Sequence, residues 1–84
     1  MTYRIDWAPR ARKQVDHLQG KLAARVFEAV ESLATDPRPS GSKKLVGTDQ
    51  WRIRVGEYRI IYEIHDGHML ILVVRVAHLR EVYR

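Results

Sequence analysis

"WRIRVGEYRIIYEIHDGHMLILVVRV", residues 51–76, decides the fold. It divides into WRIRV, YRIIYEI and HMLILVVRV, three runs of strand length that alternate or stay apolar. The breaks between them are Gly56-Glu57, which suits a II′ hairpin turn, and Asp66-Gly67, which suits a I′ turn. Three antiparallel strands in a meander follow. Two-residue turns also fix the register. Val55 faces Tyr58, Arg54 faces Arg59, Ile53 faces Ile60, and Trp51 faces Tyr62. In the second hairpin the same rule sets Ile64 opposite Met69, Tyr62 opposite Ile71, and Arg59 opposite Val74.

This register sorts the side chains onto two faces. Trp51, Ile53, Val55, Tyr58, Ile60, Tyr62, Ile64, Met69, Ile71 and Val73 share one, a continuous apolar surface. Arg52, Arg54, Arg59, Ile61, Glu63, Leu70, Leu72 and Val74 share the other. A slip of one residue would exchange them. Arg54 opposite Arg59, with Arg52 diagonal to Arg59, is a cluster of like charges that a small sheet does not need. One such arginine reads as a solvated face. Three in register read as a phosphate or carboxylate site, able to stabilise charge growing on a phosphorane-like transition state. The strip of Ile61, Leu70, Leu72 and Val74 is an apolar patch for a partner, unless the C-terminal "AHLREVYR" folds back over part of it.

Upstream, "TYRIDW" alternates and reads as a first strand. "APRARKQVDHLQG" reads as a helix opened by Pro9 and closed by Gly20, with Ala11, Val15 and Leu18 on one face. "KLAARVFEAVESLATDP" repeats the helical period through Leu22, Val26, Val30 and Leu33 until Pro37 stops it. Only a tight αα-hairpin fits between them. "PRPSGSKK" is a loop by composition. The class is therefore α+β: an N-terminal strand, a two-helix hairpin and a three-stranded antiparallel meander. The helices pack on one face of a four-stranded sheet, and residues 1–84 form one domain.

The 84 residues hold 15 Lys and Arg against 10 Asp and Glu, a formal charge of +5. Such a surface favours nucleic acid or an acidic protein. Arginine's planar fork suits bidentate contacts to phosphate or carboxylate. The absence of cysteine excludes a disulfide framework and a thiolate metal site, and suits a reducing cytoplasm. Nothing reads as a membrane span or a signal peptide. His65 and His68 flank the second turn as cross-strand neighbours, but without a third ligand they do not make a metal site.

The stretch "GEYRIIYEIHDGHMLILVVRVAHLREVYR", with "KKLVGTDQWRIRVGEYR" ahead of it, resembles the RelE-type toxins of type II toxin–antitoxin modules. That family's pattern runs Gly-x-Tyr-Arg, two hydrophobics and a Tyr, then Val-Gly-His-Arg and a terminal Val-Tyr-Arg. The resemblance implies a cytoplasmic, metal-independent and cofactor-free endoribonuclease. It would cut mRNA on the ribosome with the RNA's own 2′-OH as nucleophile, inhibit translation under stress, and be neutralised by an acidic RelB-like antitoxin. Assembly of the pair on operator DNA through the antitoxin is implied as well. Arg52, Arg54, Arg59 and Tyr83 match the family's catalytic positions. Lys43, Lys44 and His78 are candidate RNA-binding residues, and His78 is also an alternative acid or base. The arginine expected at Leu79 is missing, and Arg80 is the candidate to replace it. A ParE-like inhibitor of gyrase without nuclease activity, and a non-catalytic RNA-binding module, are the alternatives.

Overall fold

The computed structural model describes residues 2–82. In chain order the elements are β1 (Arg4–Trp7), α1 (Pro9–Asp16), α2 (Gly20–Ser32), β2 (Lys43–Lys44), β3 (Gln50–Val55), β4 (Tyr58–His65), β5 (Leu70–His78) and α3 (Leu79–Val82). The sheet runs β1-β5-β4-β3-β2. β1 lies parallel to β5, and the other neighbours are antiparallel.

The α+β arrangement holds, with five strands rather than four. Lys43 and Lys44, expected in a loop, pair with Arg52 and Trp51 as a short edge strand. They carry no apolar alternation, so only the partner strand reveals them. Pro9 opens α1 at its first turn. Gly20 begins α2 instead of ending α1, and its φ of 54° bends the chain between the two helices. α2 ends at Ser32, well before Pro37, with Leu33 as its C-cap.

One apolar core lies between the helices and the sheet. Ala11, Val15, Val26, Val30 and Leu33 meet Ile53, Val55, Ile60, Tyr62, Ile71, Val73 and Val76. Tyr62 is fully buried, and its hydroxyl donates to Pro37 O at 2.7 Å. That bond ties the segment after α2 to the middle of the sheet. Burial pushes the Tyr62 phenol up to about 12.

The first hairpin forms as expected, with all four expected pairs in place. Gly56 has φ 58° while Glu57 stays at negative φ, as a II′ turn requires. The second hairpin differs. Asp66–His68 form a 3-10 turn, Met69 takes the left-handed conformation, and Ile64 faces Ile71 rather than Met69. Long-range contacts widen this turn. The Asp66 carboxylate accepts from Arg38 at 3.0 Å and from the Tyr3 hydroxyl, while Arg4 N donates to Met69 O. His68 therefore sits within the turn, and His65 pairs with Leu70, not with His68. A shift of two residues leaves the faces unchanged near the turn. Further along, a β-bulge interrupts the ladder between Ile61 and Tyr62, and Arg59 faces Ala77 instead of Val74.

Candidate phosphate site on the open face of the sheet

β3 and β4 deliver the arginines through strict alternation. Ile53 and Val55 point into the core, so Arg52 and Arg54 point away from it. Register places Arg54 opposite Arg59, with Cβ atoms about 5 Å apart. Arg52 lies opposite Ile61 and one step further along the same face. β2 adds a cation, because Lys43 is the cross-strand neighbour of Arg52. Four of the expected residues, Lys43, Arg52, Arg54 and Arg59, thus share one surface.

Their settings differ. Arg54 is exposed, and its Nε donates to Gly56 O at 3.1 Å, which steadies the side chain over its own turn. Arg52 and Arg59 are half-buried, and the Arg59 Nε is fully buried. Glu63, the acid on this face, binds His65 Nε2 at 2.9 Å and Gln50 Nε2 at 3.5 Å. Among the described residues, Asp6 pairs with Arg4, Asp16 with Arg12, and Asp66 with Arg38. The Arg38 and Tyr3 hydrogen bonds hold the Asp66 carboxyl below the usual carboxylate range, and the same bond raises the Tyr3 phenol. Grouped guanidiniums on one face of a sheet are suited to binding a phosphodiester and to stabilising added negative charge on it.

The remaining expected residues lie apart from this group or outside the described chain. Lys44 pairs with Trp51, which puts it on the helix side of the edge, near Arg38 stacked 5.3 Å over the Trp51 ring. His78 pairs with Tyr58 on the same side as Ile60 and Val76, away from the arginines. Its Nδ1 accepts from Arg80 N at 3.2 Å, and Nε2 approaches Glu57 Oε2 at 3.3 Å. The ring also meets Tyr58 edge-on at 5.2 Å. These contacts make His78 the cap of α3. Leu79 N donates to Glu57 O at 2.8 Å, so α3 starts at the Arg54–Arg59 end of the sheet with Arg80 exposed on it. Tyr83 lies outside the described residues.

The apolar strip is smaller than expected. Ile61 is buried on the open face, α3 packs back on β4 and β5, and Leu70, Leu72 and Val74 remain half-buried. Sequence reasoning also passed over two cations. Arg25 of α2 reaches the β3–β4 turn, its Nη1 3.8 Å from the position a Gly56 Cβ would take, and shares a surface hollow with Arg54. Arg75 pairs with Ile61 on the arginine face. An arginine inside an apolar strand was the available signal for it.

Residues 5–83 match the family described as ParE toxin of type II toxin-antitoxin system, parDE. The chain is 32% identical to the Toxin RelG of Mycobacterium tuberculosis over 88 aligned positions, covering 100% of this chain and 99% of that protein. The toxin–antitoxin complex RelBE2 of Mycobacterium tuberculosis contains a similar fold. Its TM-score is 0.82 at 27% identity, over 93% of this chain and 99% of that one. The archaeal RelE–RelB complex of Pyrococcus horikoshii gives 0.83 at 28%, over 93% and 96% of the two chains. Sequence and fold agree on the conclusion: the chain belongs to the ParE toxin family of type II toxin–antitoxin systems, within the RelE/ParE superfamily.

Proposed function

We propose that this toxin is a metal-independent endoribonuclease that cuts mRNA on the ribosome. The observation that carries the reading is the alignment of Arg52, Arg54 and Arg59 on the open face, with Lys43 beside them. The RNA's 2′-oxygen bonds to the neighbouring phosphorus, the bond from phosphorus to the 5′-oxygen breaks, and a 2′,3′-cyclic phosphate remains. A proton leaves the 2′-OH and another joins the departing 5′-oxygen. The arginines are not the base, because their guanidiniums stay protonated to above about pH 12. They hold the phosphate and stabilise its added charge. Tyr83 stacks on a base or relays a proton, and Arg80 takes the role of the arginine absent at Leu79.

A cytoplasmic, acidic, RelB-like antitoxin neutralises the protein. The net charge of +5 speeds encounter with such a partner. The half-buried Leu70, Leu72 and Val74 give its apolar side a place to dock. Operator binding then runs through the antitoxin.

Leu79, half-buried at the start of α3, favours a second reading. On that reading the missing arginine leaves a ParE-like toxin that inhibits gyrase by binding and does not cut RNA. The test incubates purified toxin with mRNA, with and without ribosomes and chelator, beside a supercoiling assay. Ribosome-dependent, chelator-resistant cuts ending in cyclic phosphate are expected. Intact RNA with blocked supercoiling would transfer the assignment to gyrase.

A further inference from the structure

We infer that Arg75 is a fourth arginine of the phosphate site, brought there by the β-bulge in β5. The inference rests on the phosphate-site reading and extends it to a residue and a path for the substrate.

The register shows what the bulge accomplishes. From His65↔Leu70 to Tyr62↔Val73 the β4–β5 pairing is regular. Continued unbroken, it would place Arg75 opposite Ile60, on the face that packs against the helices. A guanidinium there would have to leave water for an apolar core. The bulge inserts Val74, so that Val76 faces Ile60 instead and is 3% exposed. Arg75 turns to the open face, opposite Ile61 and diagonal to Arg59. Bulges re-aim side chains in this way.

Avoiding a buried charge would alone explain the turn of Arg75, if the side chain then spread into solvent. It does not spread. Arg75 is half-buried, and its Nε is buried like that of Arg59. Their cross-strand neighbours, Ile61 for Arg75 and Ala77 for Arg59, are 7% and 1% exposed. Guanidiniums held in this way lose little freedom on meeting a phosphate.

The row across the strands is then Lys43, Arg52, Ile61, Arg75. With strands about 4.8 Å apart, its ends are separated by about 14 Å of backbone. That span exceeds one phosphate. It fits a single-stranded polynucleotide laid across the strands, with Lys43 and Arg52 on one phosphate, Arg75 and Arg59 on another, and Ile61 as an apolar floor between them.

The probe is a short single-stranded RNA carrying 2′-O-methyl groups, which binds without being cut. Its affinity is measured against salt concentration for wild type, Arg75→Gln and Arg75→Lys, with melting curves for each. Arg75→Gln should bind about tenfold more weakly and lower the log–log salt slope by about 0.7, one phosphate contact on a single strand. Arg75→Lys should restore the slope. A folded Arg75→Gln with the wild-type slope overturns the inference while leaving the phosphate site in place. Wild-type binding that ignores salt overturns both. Should Arg75→Gln fail to fold, the Arg75 guanidinium signals of the wild type decide by NMR: a shift on adding the RNA supports the contact, and unmoved signals overturn it.

Discussion

On β3, neighbouring residues serve opposite purposes. Ile53 and Val55 are 8% and 7% exposed and lie in the core under the helices. Arg52 and Arg54 occupy the same strand and add like charge to a surface that already holds Arg59 and Arg75. The first face lowers free energy by removing apolar area from water, about 25 cal/mol per Å². The second raises it, since facing cations repel. The difference teaches that stability and function can be assigned to alternate residues of one strand. Substitutions should therefore split into two classes by parity.

The sharpest break of that rule would come from Ile53→Asp. A carboxylate there has no partner in the core, and the expected loss exceeds about 4 kcal/mol. Urea unfolding followed by circular dichroism measures it, and a native-like midpoint would mean the faces are exchanged. Arg52→Ala and Arg54→Ala should do the reverse. Each should remove about 2 to 4 kcal/mol of transition-state stabilisation, a fall of about 30- to 1,000-fold in single-turnover cleavage, with the melting temperature held or raised. A loss confined to RNA affinity would make them binding groups only.

A smaller effect tests the core face by pH. The Tyr62 phenol rises from about 10 when unfolded to about 12 when folded, so folding favours its protonated form. Its contribution is intact below pH 10 and is lost as pH climbs from 10 towards 12. Tyr62→Phe should flatten the alkaline limb of a stability profile, at the expense of the bond to Pro37. An unchanged limb would place the titration elsewhere. The smallest shift belongs to Arg54→Gln, which removes one of two facing charges and should stabilise by at most about 0.5 kcal/mol. Raising salt should shrink that gain.

Legibility followed the range of the interactions involved. The first hairpin was readable because Gly56 alone dictates its turn, and register, faces and three arginines follow from it. The second was misread because Asp66 bonds to Tyr3 and Arg38, residues 63 and 28 positions away, and no local pattern shows them. The bulge was hidden for a related reason. Val73, Val74, Arg75 and Val76 permit either spacing, and only the need to keep Arg75 out of the core selects one. Lys43 was an RNA-binding candidate in what read as a loop; its place opposite Arg52 needed the sheet.

The parallel pairing of β1 with β5 sets the timetable of folding. Arg4–Trp7 are synthesised well before their partners, Leu70–Val73, which lie 66 positions further along the chain. Between those events the chain has helices but no completed sheet for them to cover. Late closure of so long a loop slows folding and leaves apolar surface open meanwhile. A nascent toxin thus cannot display its cation face on a finished sheet until two segments 66 positions apart have met.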